Sequence, residues 1–104
     1  MHKMFSALGD KTRLVIVERL LEQGEASAGD LVAATDISAP AVSRHLKVLT
    51  DAGLIARRID KQRRIYSANP VTLRAINQWT MDHEAFWTAG LDRLEQALEG
   101  SGGD

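Results

Sequence analysis

Within five residues the chain places Ser43, Arg44, His45 and Lys47. These supply a hydroxyl, a guanidinium, an imidazole and an amine. Val42, Leu46 and Leu49 run among them at helical spacing and make a single apolar stripe. Ser43, Arg44 and Lys47 fall off that stripe, and His45 sits at its edge. A helix built this way packs one side on a small core and offers hydrogen-bond donors and cations on the other. A guanidinium fork matches a phosphate or the O6 and N7 of a guanine, and a lysine serves a phosphate as a point charge. A polyanion that offers both kinds of target is duplex DNA. Base edges are met by the first half of such a helix, here Ala39, Pro40, Ala41, Ser43 and Arg44, and Ser38 at its cap is also assigned to DNA. Ala39 and Pro40 bring no side-chain hydrogen bond, only apolar contact with a thymine methyl, so DNA shape is expected to carry part of the readout. His45 and Lys47 are assigned to phosphates. For His45 the competing reading is a packing residue bonded to a neighbouring element.

Other chemistries find little support. The 104 residues contain no cysteine, which removes disulfides, thiolate nucleophiles, thiol sensing and thiolate metal sites. Ser43, the three histidines and the scattered carboxylates form no nucleophile–base pattern, and no glycine-rich phosphate loop appears, so an enzyme is not expected. The expected cofactor is none. No apolar run has the length of a membrane span, and no secretory leader is visible, so no membrane partner and a cytoplasmic location are expected. The net charge is only −1, but it is unevenly spread. Residues 44–64 hold seven lysines and arginines against two aspartates, a surplus of +5 that leaves −6 for the remainder. A basic stripe on a mildly acidic body is the footprint of one DNA-facing surface.

The elements that must position these groups can be read from caps and periodicity. Residues 1–8 predict a short helix with Met4, Phe5 and Leu8 on one side. Asp10 caps a second helix over 11–23 with Leu14, Val17, Leu20 and Leu21 as its core stripe, and Gly24 ends it. Ser27 and Asp30 resemble a capping box that opens a third helix, with a strand of one or two residues at Glu25–Ala26 before it. Ser38 caps the fourth helix, Pro40 lies in its first turn and Gly53 stops it. Strands over 54–59 and 64–68, joined by the charged tip 60–63, form a hairpin. Its Arg58, Lys61, Arg63 and Arg64 are assigned to DNA. Asn69-Pro70 starts a long helix to Glu99, with a kink expected near Trp79 or Gly90. The expected fold is mainly α (α+β): a winged helix-turn-helix with a β-hairpin wing and a long C-terminal dimerisation helix. It forms one domain over 1–99, followed by a flexible tail over 100–104.

Four pieces of the chain resemble the ArsR/SmtB family of bacterial winged-helix repressors: Phe5–Leu14, Ala33–Ser38, Val42–Leu49 and Ala52–Ile55. The third followed by the fourth is the specific signal, and the first stands at the matching distance upstream. The resemblance implies a homodimeric transcriptional repressor that an effector releases from its operator. In the family's metal sensors one site uses two cysteines of the third helix; the matching positions are Ser27 and Gly29, so that site is absent. A second family site draws Asp and His from the C-terminal helix, for which Asp82, His83 and Glu84 stand in a row without a further histidine. Consecutive helical residues point apart, so no metal is expected.

The long helix carries more apolar surface than one small domain covers. Trp79, Phe86, Trp87, Leu91, Leu94 and Leu98, together with Met4, Phe5 and Leu8, are assigned to a two-fold interface. The positions 87, 91, 94 and 98 have the 4-3-4 spacing of a helix-pairing seam. The leading function is a homodimeric regulator, a repressor, that binds a palindromic operator through the helix 39–52 and the wing 55–68. The alternative is a winged-helix protein-interaction module that does not bind DNA, against which the basic face argues. The effector stays open: a small apolar ligand near Trp79, Phe86 and Trp87, or none.

Overall fold

A computed structural model describes the backbone of residues 1–102. The order is α1 (His2–Leu8), α2 (Lys11–Gln23), β1 (Ala26–Ser27), α3 (Ala28–Ala33), α4 (Ala39–Asp51), β2 (Ile55–Asp60), β3 (Arg63–Ala68), α5 (Pro70–Asp82) and α6 (Glu84–Gly102). The three strands form an antiparallel sheet in the order β1-β3-β2. This is the winged helix-turn-helix: α3 and α4 are the helix-turn-helix, β2 and β3 the wing.

Local chemistry sets each boundary. Asp10 accepts the backbone N–H of Arg13 at 3.0 Å and so caps α2. Ser27 and Asp30 complete a capping box on α3, each accepting the other's backbone N–H at 3.1 Å. The side chain of Ser38 accepts from the N–H of Ala41, and Pro40 lies in the first turn of α4, where its missing N–H leaves no gap. At the other end of α4, Leu54 N–H donates to Leu49 and Gly53 N–H to Thr50, both at 3.0 Å. That is a Schellman pair, and it requires the left-handed backbone that Gly53 adopts at φ 78°. Leu49 and Leu54, the residues whose side chains meet in such a motif, are both fully buried. Thus the cap of α4 is also the entry to the wing.

The core joins Ile16, Val17 and Leu20 of α2, Leu31 of α3, Val42, Leu46 and Leu49 of α4, and Ile55, Ile65 and Tyr66 of the sheet. The stripe of α4 is the expected one. That of α2 is not, because Leu14 and Leu21 are 42% and 57% exposed while Ile16 is buried. Helix α2 holds two apolar stripes, and docking against α4 and β3 selects the one through Ile16.

Three further features differ from expectation. The wing loop has two residues, Lys61 and Gln62, because Asp60 and Arg63 extend the ladder as a pair. Lys61 therefore takes a left-handed φ of 59°. The C-terminal helix breaks at His83, not at Trp79 or Gly90. The His83 ring stacks on Trp79 with centroids 4.5 Å apart, and its Nδ1 lies 2.8 Å from the Trp79 carbonyl. A carbonyl only accepts, so Nδ1–H donates and takes the acceptor that the helical N–H of His83 would use. That N–H turns to Thr80 instead, at 3.2 Å. The tail expected from residue 100 is helical through Gly102, and 103–104 lie outside the described residues.

The chain forms two compact units, Met1–Leu73 and the residues from Arg74 onward. Among the described residues the buried hydrophobic side chains lie in the first unit, and α5 buries none.

The capping box gives a prediction. The Asp30 carboxylate is held below the ordinary carboxylate range, first by the Ser27 backbone N–H and then by the Ser27 hydroxyl. Its stabilising contribution is therefore complete above the ordinary range and is lost as pH falls through the lowered value. Asp30→Asn is expected to flatten the acid limb of a plot of Tm against pH between pH 7 and about pH 2. An unchanged acid limb would count against the box as a stabilising element.

Candidate nucleic-acid interface

On α4, Ser43, Arg44 and Lys47 are exposed while Val42, Leu46 and Leu49 are buried, so the helix presents the two faces its sequence implies. Ser38, Ala39 and Pro40 are exposed at its start. The ladder then sorts the wing. Residues directly opposite in a ladder share a face of the sheet. Arg57 pairs with Tyr66 and Ile59 with Arg64, which puts these four on one face. Arg58 pairs with Ile65 and Asp60 with Arg63 on the other.

The first face and α4 enclose a cleft of about 550 Å³ lined by Ser43, Lys47, Thr50, Asp51, Arg57, Arg64 and Tyr66. Three cations and one carboxylate line it, so its field is positive. Lys47 Nζ lies 3.1 Å from Asp51 Oδ2, one helical turn away, with both side chains largely exposed. A pair this exposed adds little stability, but its carboxylate offsets one cation of the cleft. Asp51→Asn is expected to strengthen binding of any DNA duplex and to steepen its salt dependence by a fraction of one counterion. An anisotropy titration over a range of salt concentrations reads both.

The second face turns to acids of its own unit. Glu25 receives Arg58 as a bidentate pair, with Nε to Oε2 at 2.8 Å and Nη2 to Oε1 at 3.1 Å. This guanidinium holds the Glu25 carboxyl below its ordinary range, and the arginine is raised in return. Arg63 lowers Asp30 through its charge. Of the wing residues assigned to DNA, Arg64 thus lines the cleft, Lys61 is exposed at the tip, and Arg58 and Arg63 share the opposite face. The side chain of His45 is 22% exposed, with Nδ1 lying 3.3 Å from Arg13 Nη1 and 3.9 Å from Asp10 Oδ1. Its Nδ1 edge is thus bonded to a neighbouring helix, as in the reading set beside the phosphate contact.

Arg57 was missed. The expected strands already implied the register that pairs it with Tyr66, so alternation along β2 places it beside Arg64 and away from Arg58. The metal positions are also accounted for. Ser27, where the family's sensors carry a cysteine, is buried and spends its hydroxyl on the α3 cap. Among the described residues, no group of three or more His, Cys, Asp or Glu is placed to hold a metal ion, and no helix is long and apolar enough to cross a membrane.

The residues assigned to a dimer face are apolar, and six of the nine are exposed. Phe5 is 40% exposed, with Met4 and Leu8 half-buried in α1. In the second unit Trp79 is half-buried, Trp87 is 47% exposed, and Phe86, Leu91, Leu94 and Leu98 are 61–71% exposed. Trp87 meets Trp79 and Phe86 edge-on, with ring centroids 6.3 and 5.8 Å apart.

A two-faced helix capped into a hairpin, with a positive cleft between them, defines a winged helix-turn-helix regulator of transcription. Residues 10–57 match the model of the bacterial regulatory protein, arsR family. The chain is 39% identical over 102 residues to the HTH-type transcriptional regulator Rv2034 of Mycobacterium tuberculosis, spanning 98% of this chain and 92% of that one. It is 34% identical over 82 residues to the transcriptional repressor SdpR of Bacillus subtilis, spanning 79% and 90%. Among solved structures, an ArsR-like transcriptional regulator from Rhodococcus sp. RHA1 superposes with a TM-score of 0.73 at 26% identity, covering 91% of this chain and 89% of that chain. The chain belongs to the ArsR family of DNA-binding transcriptional regulators.

Proposed function

We propose that the protein is a homodimeric repressor that binds a palindromic operator, with α4 in the major groove and the wing beside it. The observation that carries this reading is the convergence of Ser43 and Lys47 from α4 with Arg57 and Arg64 from the wing on one cleft, next to the exposed Arg44. In this reading Arg44 forks onto a guanine, Ser43 bonds a base edge or phosphate, and Lys47, Arg57 and Arg64 take the phosphate that enters the cleft. Lys61 reaches the backbone or minor groove from the wing tip. Arg58 acts through its pairing with Glu25, which holds the wing against the body.

Two copies pair through α1 and the open faces of α5 and α6. A two-fold dimer sets its recognition helices about 34–36 Å apart, one turn of DNA, and the operator is then an inverted repeat. The name of the B. subtilis relative supports repression. The protein works in the cytoplasm, where its DNA is.

Capture of genomic DNA fragments by the full chain, followed by sequencing, tests the reading. The expected result is a small set of fragments sharing an inverted repeat with half-sites one helical turn apart. Failure to retain any fragment at low salt would overturn it and favour an interaction module that does not bind DNA.

A further inference from the structure

Arg13 joins three helices. Its Nε donates to the Ala7 carbonyl in the last turn of α1 at 2.7 Å. Its backbone N–H donates to Asp10, the cap of its own helix. Its Nη1 lies 3.3 Å from Nδ1 of His45 on α4. A guanidinium has donors and no acceptor, so His45 Nδ1 is the acceptor of this bond. An imidazole that accepts at Nδ1 carries its hydrogen on Nε2. The Asp10 carboxylate, 3.9 Å from the same nitrogen, is beyond hydrogen-bond range and does not draw the hydrogen back to Nδ1. The ring is thereby fixed in one tautomer, with its only N–H on the edge turned from Arg13. It stands between Arg44 and Lys47 in sequence, on the helix that faces DNA.

We propose that Arg13 is a positioning residue for operator binding. Through His45 it sets the roll of α4 over α1 and α2, and it presents Nε2–H as a neutral donor for a backbone phosphate oxygen. Arg13 itself touches no DNA. This inference rests on the operator-binding reading, and its test separates the two.

The first measurement needs no DNA. Long-range ¹H–¹⁵N correlation spectra of the ¹⁵N-labelled full chain read the tautomer of each histidine. His45 is expected in the Nε2–H form in the wild type and in a mixture in Arg13→Met. Arg13→Gln, whose amide can donate or accept and so leaves the ring unlocked, replaces the Met variant if that one fails to fold. The second measurement is affinity for the tightest fragment captured by the wild type. His45→Gln keeps an amide donor near the place of Nε2 and removes the acceptor facing Arg13. Arg13→Met is expected to lower affinity roughly tenfold in the wild-type background and to have no further effect in the His45→Gln background. An Nδ1–H ring in the wild type overturns the proposal whatever the DNA result, as does an Arg13→Met loss of equal size in both backgrounds. A wild type that shows the Nε2–H ring but retains no DNA leaves the tautomer lock standing, and it overturns the phosphate contact together with the operator-binding reading.

Discussion

Replacing Leu94 and Leu98 together with glutamate is expected to leave the protein monomeric and to weaken operator binding by roughly 10²–10⁴-fold. Both side chains are largely open, at 61% and 71%, so the change costs the isolated chain little. With Trp87 and Leu91 they form a seam at 4-3-4 spacing. In the proposed dimer this apolar strip is the interface, and a glutamate inside it would be buried without a partner. The loss in affinity follows from geometry. One wing and one α4 bind a half-site alone, and the second half-site is engaged at high effective concentration only while the copies are joined. Sedimentation velocity at micromolar concentration reads the first effect and fragment binding the second. The melting of the first unit should not change, because the buried hydrophobic residues run from Ala7 to Tyr66, within that unit. A monomeric variant that binds as tightly as the wild type would overturn the dimer as the source of affinity.

What was legible in the sequence was whatever local rules settle. Ser38, Pro40 and Gly53 each act within a few residues of themselves, so the start and end of α4 could be placed from the sequence. The stripe through Val42, Leu46 and Leu49 has no rival in that helix. Helix α2 has one: Leu14 and Leu21 share a face as well as Val17 and Leu20 do, and only the partner elements choose between the two stripes. The wing register was legible and its loop was not, since nothing in Asp60-Lys61-Gln62-Arg63 announces that Lys61 will take a left-handed backbone. The break at His83 came from a side chain taking a carbonyl four residues earlier, a competition that the apolar pattern of the helix does not record.

The site divides in the same way. Arg44 and Lys47 follow from helix periodicity, and Arg57 and Arg64 from strand alternation. The Arg58–Glu25 pair spans 33 residues and the His45–Arg13 bond spans 32. Such partners are brought together by the fold alone, and no local pattern names them. For this reason a count of basic residues between 44 and 64 overstates the charge offered to DNA. Two of the seven lie on the wing face that looks toward Glu25 and Asp30.

That sorting makes the second large prediction specific. Arg44→Ala is expected to cost about 1–3 kcal/mol on the best operator and to relax discrimination at one base pair in each half-site, leaving binding to random DNA nearly unchanged. The cost falls on one position because the guanidinium fork matches guanine and no other base. Arg64→Ala and Arg57→Ala are expected to behave otherwise. Each should weaken all sequences alike and reduce the slope of log affinity against log salt by about one, since a cation facing a phosphate releases one counterion equivalent. Arg63→Ala, on the opposite face, should change the slope by less than either. Binding of the operator and of a scrambled duplex, measured for the four variants over a series of salt concentrations, resolves these outcomes. Equal slope changes for Arg63 and Arg64 would mean that both faces of the wing meet the backbone, and the single-cleft geometry would fail. An Arg44→Ala loss that is uniform across sequences would move that residue from the bases to the phosphates. The exposed first turn of α4 offers only Ala39, Pro40 and Ala41 beside the capping Ser38, so base discrimination would then pass to the shape of the duplex.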